Sequence, residues 1–123
     1  MNKHSWITVA SLMLALAVGI GAFGAHGLQP ILEANGRLET FETAVKYHFY
    51  HALGILVLAI WNTLQPTLKN IKLSYWLLVI GILIFSGSLY VLSITGITWL
   101  GAITPLGGVA FIAGWLNLIR VKA

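Results

Sequence analysis

Three histidines, His26, His48 and His51, and two carboxylates, Glu39 and Glu42, stand out in a chain with only 4 histidines and 3 acidic residues in all. Imidazoles with a nearby carboxylate are common donors for a divalent metal. Two imidazoles from different helices, here His26 and His51, could instead ligate haem inside a bundle. His48 and His51 are three apart, so on a helix they share a face. The zincin pattern needs histidines four apart with an adjacent glutamate, and that is absent here. Hydrogen bonding between helices or at the membrane interface is the simpler role for His48 and His51. His26 is placed to cap the last carbonyls of a helix or to reach lipid headgroups. No metal and no cofactor is therefore expected. Glu39 and Glu42 could form an acid–base pair, but three apart on an amphipathic helix they read as a solvated face. Lys46 follows Glu42 by four residues, a favourable order for an exposed ion pair. No serine stands in a nucleophile elbow and no glycine run matches a phosphate loop, so an enzyme is not expected.

A second group of polar residues lies in apolar surroundings. Ser86, Ser88, Tyr90 and Thr104 put hydroxyls at the depth of a membrane span. Their ordinary role there is to join helices by hydrogen bonds.

The elements that position these groups are long and apolar. Hydrophobic residues make up 59% of the 123 residues and charged residues 8%, against about 25% charged in a soluble domain. Mean hydropathy is +0.90. A helix of about 20 apolar residues crosses a bilayer, and the chain supplies four such stretches, near residues 5–25, 44–64, 73–95 and 99–119. These predict an all-α, four-span antiparallel bundle formed by one membrane domain over residues 1–123. The first stretch is longer than the core of a signal peptide and reads as a retained span. Gln29-Pro30 suits a helix start and Asn35-Gly36 a helix end, so a short interfacial helix is expected between the first two spans. An amphipathic helix from about Arg37 runs into the second span. Tyr75 and Trp76 suit the headgroup zone, and Pro105 predicts a kink in the fourth span.

With four spans, both termini and the middle loop share one side. That side carries Lys3, Lys69, Lys72, Arg120 and Lys122 and no acid, while the other carries Arg37, Lys46 and all 3 acidic residues. The positive-inside rule then places both termini in the cytoplasm of a cell-membrane protein. Ala17, Gly21 and Ala25 are spaced four apart. Such a face permits close helix approach, either within the bundle or between copies in a homo-oligomer. The few basic residues sit at span ends, which fits topology control and not nucleic acid. There is no cysteine, so thiolate chemistry and disulfides are excluded.

Four segments occur in order: Phe23-Gly24-Ala25-His26-Gly27-Leu28; the run from Phe41 to Ala52, FETAVKYHFYHA; Phe85-Ser86-Gly87-Ser88-Leu89-Tyr90; and the run from Leu100 to Gly108, LGAITPLGG. Together they resemble the YgdD/YwdK-like small bacterial membrane proteins, a domain-of-unknown-function family with eukaryotic relatives. The resemblance covers nearly the whole chain. It implies a multi-pass membrane protein of about this length in a bacterial cell membrane, and no particular activity. The position of His48 is commonly Gln in that family's pattern, so a metal site built on His48 would be peculiar to this chain. His26, Glu42, Lys46, Tyr50 and His51 match the pattern. With Ser86, Ser88 and Tyr90 they form the expected ligand-binding set. The expected function is a non-enzymatic membrane protein that binds a lipid or small hydrophobic ligand, or supports a membrane assembly. A redox protein using His26 and His51 and a small oligomeric transporter are the alternatives.

Overall fold

The computed structural model describes residues 2–123, with the Lys3 side chain outside the description. Helix α1 (Lys3–His26) begins where the Asn2 side chain accepts a hydrogen bond from the Ser5 amide at 2.9 Å. This takes one of the free amides of the first turn. Helix α2 (Gln29–Ala34) is short, with proline in its first turn. It closes through Gly36, at φ 64°, and a bond from the Arg37 amide to the Leu32 carbonyl at 2.8 Å. Helix α3 (Leu38–Leu64) is one continuous rod of 27 residues, so the amphipathic start and the second span form a single helix.

The third span consists of α4 (Ile71–Gly81), a π-helical turn (Ile82–Ser86) and α5 (Gly87–Thr95). The fourth begins as a 3-10 turn (Thr98–Ala102) and continues as α6 (Thr104–Asn117) and a last 3-10 turn (Leu118–Arg120). Four helical segments are therefore long and apolar enough to cross a membrane: His4–His26, Leu38–Leu64, Ile71–Thr95 and Thr98–Arg120. The expected kink at Pro105 is instead a break. The helix restarts at Thr104, and Pro105 falls in its first turn, where a missing amide leaves no bond unmade.

Consecutive spans pack as neighbours. Helix α3 lies between α1 and the third span, and α6 packs mainly on α4 and the π turn. At one end, Asn2 and Lys69 line the same cavity and the Lys69 amide bonds the Lys122 carbonyl at 2.8 Å. Both termini and the α3–α4 loop therefore meet at this "termini end". At the opposite "α2 end", the Asn35 amide donates to the Ser93 and Ile94 carbonyls, each at 3.0 Å. One side chain thus closes the last turn of α5, whose carbonyls have no partner within the helix.

The Ala17, Gly21 and Ala25 face turns toward α3. Ala17 is buried, and a Cβ on Gly21 would touch Val45 at 3.4 Å. Other glycines admit aromatic rings from neighbouring helices. A Cβ on Gly54 would meet the Trp115 ring at 2.6 Å, and those on Gly24 and Gly81 would overlap Phe41 and Phe111. Gly107 of α6 meets backbone and not a ring: a Cβ there would lie 2.8 Å from Phe85 Cα on the π turn.

Overpacking of this kind costs about 1–3 kcal/mol. Gly107→Ala is expected to lower thermal stability in detergent accordingly. Gly87→Ala, where a Cβ would meet nothing within 4 Å, should be neutral or mildly stabilising. Equal melting temperatures for the two variants would contradict this packing.

Candidate functional site

The expected ligand-binding residues do not form one pocket. Those on the buried faces spend their polar atoms inside the protein. Ser86 donates to the Ala44 carbonyl at 2.8 Å, fixing the end of the π turn to α3. Ser88 and Thr104 share a hydrogen bond of 2.6 Å between the third and fourth spans. His51 Nδ1 lies 2.8 Å from the Tyr47 carbonyl. A carbonyl only accepts, so this nitrogen carries the proton. The His51 ring also stacks on Phe111 at 3.5 Å and 10°, which covers one of its faces. Tyr90 bonds His48 Nδ1 at 2.8 Å, and its ring lies 5.5 Å from that of Phe41.

The remaining members are exposed. His26 ends α1 without capping it, because the Gly27 and Leu28 amides take the Phe23 carbonyl at 2.8 and 2.9 Å. Tyr50 is 57% exposed and points away from His51 and toward the surroundings. Glu42 and Lys46 are both exposed, where an ion pair contributes little. Among the described residues no three His, Cys, Asp or Glu side chains converge as metal ligands.

What the α2 end does offer is a pair of grooves on either side of the buried Phe41. One, of about 380 Å³, runs between α1 and α3 past Gly21, Gly24 and Val45, with Glu42 and Lys46 on its wall. The other, of about 460 Å³, is almost wholly apolar and runs past Gly19, Phe23, Leu28 and Tyr90. The small residues of α1 create this space, since larger side chains there would fill it. Of the expected set, Glu42, Lys46 and Tyr90 line the grooves, while His26, Tyr50, His51, Ser86 and Ser88 do not.

Sequence reasoning missed a second polar assembly at the termini end. Ser74 donates to the Gly114 carbonyl at 2.8 Å, and the Asn117 amide donates to the Asn70 carbonyl at 2.8 Å and to Ser74 Oγ at 2.9 Å. Arg120 Nε donates to Asn117 Oδ1 at 3.0 Å. Tyr75, expected among headgroups, is wholly buried and stacks on Trp6 at 4.5 Å. Trp76, its neighbour, is 48% exposed. The pattern had a signal: single polar residues in apolar runs must find partners.

These features define a polytopic α-helical membrane protein whose internal polar groups serve mainly to join helices. The family model "Protein of unknown function (DUF423)" matches residues 20–108. The chain is 46% identical over 114 residues to the UPF0382 membrane protein YwdK of Bacillus subtilis (strain 168), covering 93% of this chain and 92% of that one. It is 48% identical over 114 residues to the UPF0382 membrane protein SSP2132 of Staphylococcus saprophyticus, with 93% and 92% covered. A UPF0382 membrane protein of Haemophilus influenzae is 38% identical over 116 residues, with 94% and 91% covered. The chain belongs to this family of membrane proteins. No solved structure matches it.

The His48–Tyr90 bond is testable. His48→Leu leaves the Tyr90 hydroxyl unpaired and is expected to cost about 1–3 kcal/mol. His48→Gln keeps an acceptor at similar reach and should cost less than half as much. Thermal unfolding in detergent measures both, and equal losses would show that the bond is not what stabilises this contact.

Proposed function

We propose that this protein is a non-enzymatic component of the cell membrane that holds the chain of a lipid or other single-chain amphiphile against Phe41 at its α2 end. The observation that carries this reading is the pair of grooves, about 380 and 460 Å³, that flank Phe41 on the faces of spanning helices. Their size falls in the usual range for small-molecule sites, roughly 300–1,000 Å³. Lipid is the medium around such faces, so an acyl chain is the occupant nearest to hand. Glu42 and Lys46 supply opposite charges beside an apolar trough, which suits a molecule with a polar head. A non-enzymatic role is supported by Ser86, Ser88 and Thr104, whose hydroxyls are committed to bonds between helices, and by His51 Nδ1, which is bonded to its own helix.

A photoactivatable fatty acid in native membranes is the direct probe. Adducts are expected on Leu38, Phe41 or Val45. Gly21→Leu, which fills the trough, should reduce them about tenfold, the effect of some 1.4 kcal/mol of lost affinity. Unchanged labelling in Gly21→Leu would sink the assignment. Labelling that appears only in dimers would point to a second copy seated on α1.

The same reading puts both termini in the cytoplasm. It is supported by the basic termini end, with Lys69, Lys72, Arg120 and Lys122, and by three glutamates at or near the α2 end. The chain has no cysteine, so single-cysteine variants report cleanly. In intact cells Glu33→Cys should react with a membrane-impermeant maleimide, and Lys122→Cys only after permeabilisation. The reverse pattern would invert the topology.

A further inference from the structure

The termini end holds a cavity of about 640 Å³ between α1, α3 and α4, lined among others by Trp6, Asn62, Lys69, Asn70, Lys72 and Tyr75. Trp6 is 2% exposed and Tyr75 0%. Trp6 Nε1, Asn62 Oδ1 and the Tyr75 hydroxyl are all buried without a hydrogen-bond partner among the described residues. Asn62 stands beside the Tyr75 hydroxyl without closing a hydrogen bond to it. Buried polar atoms are nearly always paired, so three orphans on residues that line one cavity call for a ligand.

The orphans have a definite chemistry. Trp6 Nε1 is a donor only, Asn62 Oδ1 an acceptor only, and the Tyr75 hydroxyl can be either. The Trp6 ring cannot swing its N–H away, because it stacks on Tyr75 at 4.5 Å and meets Trp76 edge-on at 5.1 Å. Two ammonium groups, from Lys69 and Lys72, belong to the same lining, and no acidic residue does. The glutamate side chains lie on α2 and the first turns of α3, at the other end of the bundle.

We propose that this cavity binds a phosphoglycerol group. The phosphate oxygens accept from Trp6 Nε1, Lys69 and Lys72, and a glycerol hydroxyl donates to Asn62 Oδ1. Charge-assisted bonds of this kind are the strong ones, and basic pockets between membrane helices are a recurrent setting for anionic headgroups. Such a group is available from a lipid headgroup or from a soluble glycerol phosphate. The site goes beyond the Phe41 grooves and shares no residue with them.

The test uses the full chain in mild detergent, stripped of lipid, with phosphatidylglycerol, phosphatidylcholine and glycerol 3-phosphate as probes and native mass spectrometry as the readout. A phosphoglycerol ligand should be retained over phosphatidylcholine by about tenfold or more, the scale of one charge-assisted bond. Lys69→Gln/Lys72→Gln, which alters only exposed side chains, should abolish that preference. Trp6→Phe keeps a stacking ring and removes the N–H; the smaller ring lowers the melting temperature, and the protein that remains folded should retain phosphatidylglycerol less well. Binding of phosphatidylglycerol without glycerol 3-phosphate assigns the lipid headgroup, and the converse assigns the soluble ester. Equal retention of phosphatidylglycerol and phosphatidylcholine would overturn the proposal and leave a hydrated cavity. So would parental retention in the double lysine variant. Gly21→Leu should not affect this retention, so the two sites stand or fall separately.

Discussion

Helices surrounded by lipid gain little from hiding apolar surface, because the medium is as apolar as they are. They must be held by close contact. In this protein the contact is made where a glycine of one helix admits a ring or backbone of the next: Gly24 with Phe41, Gly54 with Trp115, Gly81 with Phe111, and Gly107 with the backbone at Phe85. These seams join the first span to the second, and the second and third to the fourth. The π turn at Ile82–Ser86 belongs to the same arrangement. The extra residue it accommodates brings Phe85 against Gly107 and lets Ser86 reach the Ala44 carbonyl. Turns of this type often mark places where a helix bends to make a specific contact.

Polar residues then divide by position. In the middle of the spans, Ser86, Ser88, Thr104, His48 and Tyr90 are paired across helices. They add specificity to the seams, at about 0.6 kcal/mol for an average interhelical bond. At the α2 end the glutamates and Lys46 are exposed, and the feature of interest is the space left by the small residues of α1. At the termini end the polar groups are buried yet incompletely paired. Both ends leave interaction capacity unspent, in open space at the α2 end and in unpaired Trp6, Asn62 and Tyr75 at the termini end.

Much of the architecture was legible in the sequence. Four apolar stretches and the punctuation at Gln29-Pro30 and Asn35-Gly36 correspond to the observed elements within a few residues. Pro105 misled because a proline within an apolar run reads as a kink, while its actual place in a first helical turn depends on where the preceding 3-10 segment ends. The candidate site was less legible. Tyr50 and His51 are adjacent in one motif, but helix rotation sends Tyr50 outward and His51 under Phe111, while His26 lies at the far end of α1. Periodicity gives rotation within a helix only when its two faces differ in polarity, and apolar spans blur that difference. The grouping of Trp6, Asn62 and Tyr75 was illegible for another reason. They come from three separate helices, and only the packing of those helices brings them to one cavity.

The central claim is that the small residues of α1 keep open a trough beside Phe41 for an amphiphile's chain. The most direct measurement is an experimental density map of the protein extracted with its native lipids. The account predicts elongated density between α1 and α3, running past Gly21 and Gly24 beside the Phe41 ring, with its head near Glu42 and Lys46. A map in which Leu38, Phe41 and Val45 close the trough against α1, with no room for a chain, would contradict it.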